Sequence, residues 1–299
     1  MFEGTYTALI TPFKNGEVDY PSLGKLIDKQ IEGGVDGVVP CGSTGESATL
    51  SHDEHERVIA FCIERSQKRI RVIAGTGSNS TRESIRLTMF AKEHGADGAL
   101  LIAPYYNRPP QEGLYAHYMA IADAVALPQL VYNIPGRCAV NILPETLQRL
   151  AKHKNIVGVK EACGSIEQIA RVIELCGPDF IVLSGDDSMT LPVIAMGGHG
   201  SIGVIPNIMP RETVALVQAA ISNDMIKARE LHYKLAPVLR ALFTEINPTG
   251  IKAACALMGI CENELRLPLV QLTEPNLKQL HAVLQTAGLL WRESPLPGA

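Results

Sequence analysis

Residues 129–162, QLVYNIPGRCAVNILPETLQRLAKHKNIVGVKEA, hold the pattern on which this chain of 299 residues is built. The runs Gln129–Tyr132 and Ile156–Val159 are mostly apolar and do not alternate with polar residues, as expected for parallel strands that are buried on both faces. Pro144, between the two runs, stands where the first turn of a helix would begin. The stretch therefore predicts a strand, a helix and a second strand parallel to the first.

The same unit recurs along the chain up to about residue 223. Ser51-x-x-Glu54 and Ser80-x-x-Glu83 fit capping boxes at helix starts, and Pro210 fits a first helical turn. Eight consecutive strand–helix units predict an α/β fold, a closed (β/α)8 barrel, because an open doubly wound sheet rarely repeats this regularly. The other apolar runs are Thr5–Ile10, Gly37–Pro40, Ile70–Ala74, Ala99–Ala103, Phe180–Leu183 and Ser201–Ile205.

The chain after the barrel shows no strand pattern. Met225–Glu245, Gly250–Met258 and Asn276–Thr286 have the pattern of helices. We therefore expect a catalytic barrel over residues 1–224 and a C-terminal helical region over residues 225–299. Within that second region we expect the last residues, 293–299, to be mobile.

The composition excludes several classes of function. The formal net charge of −4 offers no basic surface for nucleic acid or an anionic membrane. Leu191–Pro210 lacks Asp, Glu, Lys and Arg, but its four glycines and three prolines make it a poor membrane-spanning helix. The N-terminus lacks a secretory signal pattern, and the seven scattered cysteines do not form a disulfide framework. We expect a cytoplasmic protein without nucleic-acid or membrane partners.

Lys160 follows the apolar run Ile156–Val159 directly, at the end of the sixth predicted strand. Chemistry in such barrels belongs to the loops at these strand ends. An ordinary lysine pKa near 10.4 leaves only about 0.04% neutral amine at pH 7, whereas desolvation would lower the pKa and free the amine to attack a carbonyl. The alternative is a side chain that reaches solvent and pairs with Asp186 or Glu161.

Other residues at the predicted strand ends carry chemistry as well. The loop Gly42-Ser43-Thr44-Gly45-Glu46 could hold a small carboxylate on its backbone N–H groups, or it could be an ordinary turn. Tyr105, Tyr106 and Tyr132 could pass protons through hydroxyl groups, or they could serve packing. Arg137 offers a fork for a carboxylate, or it could be a solvated loop arginine.

The pair His52-x-x-His55 could place two imidazoles on one helix face. No third ligand is evident in the sequence, and the two histidines fit a polar first turn of a helix. We therefore expect no metal site.

The chain resembles the dihydrodipicolinate synthase family of class I pyruvate-dependent aldolases and lyases from Thr11 to Leu290. The resemblance implies a homotetramer that condenses pyruvate with L-aspartate 4-semialdehyde through a lysine imine, without an organic cofactor or catalytic metal. This reaction commits carbon to lysine through diaminopimelate. The motifs that carry the resemblance are Gly42–Ser47, Val72–Thr76, Pro104–Asn107, Tyr132–Arg137, Gly158–Ala162, Leu183–Asp187, Gly197–Ile202 and Leu265–Pro268.

The resemblance implies a catalytic role for four residues. Lys160 forms the imine with pyruvate, and Tyr132 takes and returns protons during imine formation and ring closure. Thr44 links Tyr132 to Tyr106, and Tyr106 comes from the neighbouring subunit.

The resemblance also implies where the substrates bind. The backbone at Ser43 and Thr44 holds the carboxylate of pyruvate, and Gly185 and Ile202 line the pocket. Arg137 receives the carboxylate of the aldehyde substrate.

A second site follows from the resemblance, because many members of the family are inhibited by L-lysine in a cleft between subunits. The alternative is that the matching residues are polar interface residues without an effector. The matching positions are Ser47, Ala48, His52, His55, Asn79, Glu83 and Tyr105.

Some positions depart from the family pattern. Ser43 replaces the usual threonine, as in many sialic-acid lyases, but those lyases generally lack an arginine at the position of Arg137. The loops Gly203–Asn207 and Asn247–Lys252 also differ, as does Cys138, and a tail from Trp291 extends past the usual end. Two alternative functions stay open: a related pyruvate imine enzyme that acts on a sugar acid, and a non-catalytic sensor of small carboxylates.

Overall fold

The computed structural model describes residues 2–290. Within this range, eight parallel strands close into a barrel in which each strand pairs with its neighbours in chain order and the first pairs with the last. The closed parallel barrel confirms the predicted fold class. Its strands are β1 (Gly4–Ala8), β4 (Gly37–Val39), β5 (Arg71–Gly75), β6 (Gly98–Ile102), β7 (Gln129–Asn133), β8 (Ile156–Glu161), β9 (Ile181–Ser184) and β10 (Gly200–Gly203).

A short antiparallel hairpin follows β1 and was missed by the sequence pattern. Its strands are β2 (Phe13–Lys14) and β3 (Glu17–Val18). Asn15 and Gly16, which join the strands, both have positive φ, as a tight hairpin turn requires. Two-residue strands are too short to produce a recognisable alternation of apolar and polar residues.

The helices lie between the barrel strands and after them. Ser51 and Glu54 form the predicted capping box, and Pro144 and Pro210 begin helices as predicted. The second capping box is wrong, because the Ser80 side chain makes no cap hydrogen bond. The helices are α1 (Tyr20–Gly33), α2 (His52–Ser66), α3 (Thr81–Glu93), α4 (Gln111–Ala124), α5 (Pro135–Cys138), α6 (Pro144–Leu150), α7 (Ile166–Cys176), α8 (Thr190–Ala195), α9 (Pro210–Ile221), α10 (Met225–Leu242), α11 (Thr249–Leu257) and α12 (Glu274–Thr286).

The barrel interior is a packed apolar layer rather than a channel. The buried side chains of Tyr6, Ile73, Leu100, Leu130 and their neighbours fill it. Because the interior is filled, ligands bind at an end of the barrel, and in this fold that is the end where the strands have their carboxyl termini. The functional side chains must therefore lie in that mouth.

The three last helices cover one side of the barrel. No strand is found between residues 225 and 290, in agreement with the sequence pattern. α10 packs against α9 and α12, and its apolar residues share a buried cluster with the barrel helices. The predicted boundary after residue 224 falls between α9 and α10, and the division into two regions stays a prediction. The tail from Trp291, with its predicted mobile end, lies outside the described residues.

A buried ion pair connects these helices to the barrel mouth. The Lys252 ammonium in α11 lies 2.5 Å from the Glu46 carboxylate, in the loop after β4, and both side chains are closed to solvent. Lys252 also donates to the backbone oxygen of Glu264 at 2.7 Å and lies over the Phe13 ring. The C-terminal helices are therefore fixed to the loop that carries Ser43 and Thr44.

Across residues 2–290 we find no helix that combines the length and apolar character needed to cross a membrane.

Candidate active site

Two adjacent strands place the lysine and a tyrosine side by side. Tyr132 near the end of β7 and Lys160 near the end of β8 are register partners in the parallel pair. The Lys160 Nζ lies 4.2 Å from the centre of the Tyr132 ring. Because both residues belong to hydrogen-bonded strands, their separation is set by the sheet and not by a flexible loop.

Lys160 is a buried amine. Only 5% of the residue is exposed, and it forms no ion pair with any residue in the described part of the chain. Burial lowers the pKa of Lys160 to about 8; the Asp187 charge opposes this shift and the Arg137 charge adds to it. At pH 7 such a pKa leaves about one amine in ten neutral, against fewer than about one in a thousand for an ordinary lysine. The site therefore supplies a nucleophilic amine near neutral pH.

The alternative pairing of Lys160 with Glu161 or Asp186 is wrong. Glu161 accepts hydrogen bonds from the Asn133 side chain at 2.9 Å and from the Cys163 backbone at 3.0 Å. Asp186 accepts from the backbone of Ser188 at 2.8 Å, at the start of a short 3-10 helix. Both carboxylates are engaged away from the lysine, so the amine keeps no salt-bridge partner.

Gly185 makes room for the lysine. A Cβ atom at this position would lie 3.0 Å from Cγ and Cε of Lys160 and 2.9 Å from the Ala162 side chain. These distances are shorter than normal van der Waals contacts. A larger residue at position 185 would displace the amine from the cavity.

The loop after β4 presents two unpaired backbone N–H groups. The turn is closed by hydrogen bonds from Gly45 to Gly42 at 3.0 Å and from Glu46 to Ser43 at 3.2 Å. Within residues 2–290, the N–H groups of Ser43 and Thr44 have no hydrogen-bond acceptor. Adjacent free N–H groups in a turn attract a small anion, and here both residues line the same cavity as Lys160.

Tyr132 is a buried phenol that stays protonated near neutral pH. Burial raises its pKa, while the Arg137 charge and a hydrogen bond with the Ser43 side chain lower it. The burial effect is the larger one, so the hydroxyl can give a proton and take it back. The Ser43 hydroxyl thus lies near the Tyr132 hydroxyl, whereas the predicted neighbour was Thr44.

Thr44 lies in the cavity wall, whereas Tyr106 lies at the surface. Thr44 lines the cavity, and its Oγ1 accepts a hydrogen bond from Nδ2 of Asn247 at 2.9 Å. Tyr106 is 90% exposed and does not line this cavity within its own chain. Its φ of 73° is unusual for a residue other than glycine. Tyr132 and Thr44 thus line the same cavity, whereas Tyr106 lies at the surface of this chain.

Arg137 forms part of the cavity wall from the short helix α5. Its Nη2 donates to the backbone oxygen of Asn247 at 2.6 Å.

The cavity has a volume of about 860 Å³ and contains most of the predicted site. The prediction that Ile202 lines the pocket is wrong, because Ile202 is buried in the apolar layer below the cavity and Val204 forms the wall instead. The predicted residues in the cavity wall are Ser43, Thr44, Tyr132, Arg137, Lys160 and Gly185.

Sequence reasoning missed the contribution of the C-terminal helices to this cavity. His232, Tyr233, Arg240 and Phe243, on or next to α10, line its outer part, and Asn247 follows. The spacing of apolar residues in α10 does not distinguish a helix face that covers a cavity from one that faces solvent. The only sequence signal in this part of the chain is the loop Asn247–Lys252, which departs from the family pattern.

A second cavity of about 350 Å³ adjoins the first and shares Ser43, Arg137 and Asn247 with it. Five of the positions predicted for the effector line it: Ser47, Ala48, His55, Glu83 and Tyr105.

The other two effector positions lie beside this second cavity. His52 Nδ1 is 3.3 Å from Oε1 of Glu83, and Nδ2 of Asn79 donates to the backbone oxygen of Tyr105 at 3.2 Å. The effector positions therefore form one connected group next to the active-site cavity.

The histidine pair is engaged in protein contacts. Nε2 of His55 lies 2.7 Å from the backbone oxygen of Gly75, and His52 contacts Glu83 and Arg86. In the region that the structure describes, no group of three or more His, Cys, Asp or Glu residues could hold a metal ion.

The chain is similar to known proteins over nearly its whole length. The model of the dihydrodipicolinate synthetase family matches residues 1–287. A 4-hydroxy-tetrahydrodipicolinate synthase from Syntrophus aciditrophicus (strain SB) is 57% identical over 290 residues, which cover 97% of this chain and 100% of that protein.

Two solved structures are similar over nearly their whole length. The chloride-inhibited dihydrodipicolinate synthase from Acinetobacter baumannii, complexed with pyruvate, is 44% identical with a TM-score of 0.95 and covers 97% of this chain and 100% of that chain. The lysine-bound enzyme from Cyanidioschyzon merolae is 40% identical with a TM-score of 0.94 and covers 97% of this chain and 99% of that chain.

The lowered pKa of Lys160 predicts selective reactivity. Reductive methylation with formaldehyde and cyanoborohydride should reach half its maximal rate at Lys160 near pH 8, whereas exposed lysines need a pH near 10.4. Asp187→Asn removes a negative charge that favours the ammonium, so the midpoint should move to lower pH. Peptide mass spectrometry over a pH series would measure both. A Lys160 midpoint equal to that of exposed lysines would contradict the assignment.

Proposed function

This chain belongs to the dihydrodipicolinate synthetase family, and we propose that Lys160 is the nucleophile of its reaction. The enzyme is a lyase that condenses pyruvate with L-aspartate 4-semialdehyde to 4-hydroxy-tetrahydrodipicolinate. This is the committed step of lysine biosynthesis through diaminopimelate. The observation that carries the proposal is the buried, unpaired Lys160 amine, with a pKa near 8, beside Tyr132 and the free N–H groups of the Ser43 loop.

Pyruvate binds with its two functional groups on two parts of the site. Its carboxylate accepts hydrogen bonds from the N–H groups of Ser43 and Thr44, which leaves its ketone next to the Lys160 amine. The neutral amine attacks the ketone carbon, and the Tyr132 hydroxyl supplies the proton with which the carbinolamine oxygen leaves as water. The product of this stage is an imine between Lys160 and pyruvate.

The imine makes the methyl carbon of pyruvate nucleophilic. Tyr132, deprotonated when water left, takes a methyl proton, and an enamine forms. The enamine carbon attacks the aldehyde carbon of the second substrate, whose oxygen takes the proton back from Tyr132 and becomes a hydroxyl. Arg137 receives the carboxylate of that substrate through its remaining N–H groups. The substrate amine then displaces the Lys160 amine from the imine carbon and closes the ring. Because the imine itself withdraws electrons, we propose that no organic cofactor or metal takes part.

The sugar-acid and sensor alternatives are not favoured. Arg137 lies in the wall of the cavity, where a short aldehyde substrate with a carboxylate at its far end can reach it. A sensor would not need a lysine with a lowered pKa next to a tyrosine that can exchange protons. The relative that is 57% identical is itself named a synthase.

We propose that the active enzyme is a homotetramer and that Tyr106 acts in the cavity of a neighbouring subunit. Tyr106 is almost fully exposed, and an aromatic hydroxyl at the surface of one chain is available to a second. In the assembled site, Tyr106 would complete a relay with Thr44 and Tyr132. The tetrameric state itself rests on the family resemblance.

We propose that L-lysine inhibits the enzyme by binding in the second cavity. Glu83 can pair with an ammonium group of the ligand, and Asn79 and Tyr105 can bind its carboxylate. Since Arg137 and Asn247 line both cavities, a ligand in the second would contact residues of the first. The structure named as lysine-bound belongs to a relative that is 40% identical.

We also propose that the enzyme works in the cytoplasm and that its two regions have different roles. The first, residues 1–224, is the catalytic barrel. The second, residues 225–299, is the helical region that closes one side of the cavity.

Pyruvate followed by borohydride should leave a stable adduct on Lys160, because reduction traps an imine. Lys252, a buried lysine whose ammonium is paired with Glu46, should stay unmodified in the same peptide map. A coupled assay with pyruvate and L-aspartate 4-semialdehyde should show turnover by the wild type. Lys160→Arg should remove most of it, since a guanidinium stays protonated. An adduct on another lysine, or full turnover by Lys160→Arg, would refute the assignment.

Subunit mixing would test the role of Tyr106. Tyr106→Phe should lower kcat by about 100-fold if proton transfer limits the rate. Mixed with Lys160→Ala subunits, it should regain activity, because one site then combines an intact Lys160 with an intact Tyr106 from the other chain. Mass spectrometry would verify that subunits exchange. No recovery after verified exchange would mean that Tyr106 serves its own chain.

Initial rates against L-lysine would test the effector site, with D-lysine as the ligand control. L-lysine should inhibit the wild type, and Glu83→Ala should weaken inhibition about tenfold or more while kcat stays nearly constant. Glu93→Ala, which removes an exposed carboxylate from the end of the same helix, should inhibit like the wild type. Full wild-type activity at millimolar L-lysine would end the proposal.

A further inference from the structure

Asn247 contacts two residues of the active site at once. It lies between α10 and α11, and its side chain Nδ2 donates to Oγ1 of Thr44 at 2.9 Å. Its backbone oxygen accepts from Nη2 of Arg137 at 2.6 Å. One loop residue thus connects a residue of the proton relay to the residue that receives the aldehyde carboxylate.

We propose that Asn247 is a positioning residue for the condensation: its side chain orients the Thr44 hydroxyl and its backbone oxygen holds Arg137. This inference rests on the proposed function, because it assigns a role within that reaction. Through Asn247, the C-terminal region would position two residues that the barrel loops supply.

The hydrogen-bond chemistry of a hydroxyl explains how the side chain would act. The Thr44 hydroxyl can accept two hydrogen bonds and donate one. The Asn247 amide is a donor, so it occupies an acceptor position of Oγ1 and leaves the hydroxyl proton to be donated elsewhere in the cavity. The contact thereby fixes the direction in which Thr44 can pass a proton.

The loop around Asn247 is held firmly enough to do this. The Glu245 carboxylate accepts from the Thr273 backbone at 2.9 Å and from the Asn276 side chain at 2.7 Å. On the other side, the Thr249 backbone donates to the oxygen of Ile246 at 2.9 Å. Because both flanks are anchored, the amide keeps its position, and little ordering cost arises when substrate binds.

The backbone contact with Arg137 separates the two roles experimentally. A side-chain substitution removes the bond to Thr44 but leaves the backbone oxygen, and with it the bond to Arg137. Proton transfer should therefore suffer, whereas binding of the aldehyde carboxylate should not. A general collapse of the cavity wall would instead affect both.

The test compares Asn247→Ala with Asn247→Leu, which keeps nearly the same size without a donor. Both should lower kcat about tenfold or more, with the KM for L-aspartate 4-semialdehyde within about twofold of the wild type. Asn247 is half-buried, so both variants should fold, and their Tm would be measured. An unchanged kcat in both, or a KM that rises as much as kcat falls, would overturn the positioning role.

Two further variants distinguish positioning from loop stability. Asn276→Ala, in α12, removes an amide donor that bonds the Glu245 flank of the Asn247 loop, away from Thr44. It should leave kcat nearly unchanged, because Glu245 keeps its two bonds with Thr273. Asn247→Ala combined with Thr44→Val should be no slower than Thr44→Val alone, because Asn247 acts through that hydroxyl. An equal loss in Asn276→Ala, or losses that multiply in the double variant, would assign the effect to loop stability.

The wild type in the same assay separates this inference from the proposed function. Wild-type turnover with unchanged Asn247 variants would overturn the positioning role alone. An absence of wild-type turnover would overturn the proposed function and this inference with it.

Discussion

The salt bridge between Lys252 and Glu46 is the contact on which the barrel mouth depends. Two charges closed to solvent are stable only as a pair, and removal of one partner from such a pair typically costs about 3–5 kcal/mol. The pair is extended by Arg266, whose backbone donates to Glu46 at 3.1 Å and whose guanidinium binds Glu54 at the start of α2. The C-terminal helices, α2 and the loop after β4 thus meet at one point.

The consequence of this contact is a fixed loop conformation. Cys41 and Glu46, at the two ends of the loop, have positive φ values of 55° and 53°, which are uncommon for residues other than glycine. Such conformations persist only where the surroundings hold them. Between these two residues the N–H groups of Ser43 and Thr44 stay free of protein acceptors. The buried ion pair therefore maintains, at a distance, the part of the site that suits a carboxylate.

The environment of Lys160 explains one departure from the family pattern. Asp187 is buried, accepts from the Val204 backbone at 2.8 Å, and its pKa is raised to about 6, chiefly by burial. A Cβ atom at Gly203 would lie 2.2 Å from Oδ1 of Asp187. The glycine at position 203, in a loop that departs from the family pattern, thus gives this carboxylate its space. Asp187 in turn provides a negative charge that limits how far burial lowers the pKa of Lys160.

The sequence alone determined the barrel, the lysine and the loops at its mouth. Continuous apolar runs identify buried parallel strands, and their carboxyl ends must share one face, so Tyr132 and Lys160 could be placed near each other. The hairpin β2–β3 is too short to leave a pattern. The Ser80 capping box failed because Glu83 bonds with the Ser78 hydroxyl instead.

Only the tertiary structure decided which side chains complete the site. Asn247 meets Thr44 across 203 positions of sequence, and no local pattern encodes a contact of that range. The absence of an ion-pair partner for Lys160 within residues 2–290 likewise depends on which other groups the nearby carboxylates bond. Local propensity and periodicity specify strands and helices, whereas burial, hydrogen-bond competition and pKa arise only when distant segments pack together.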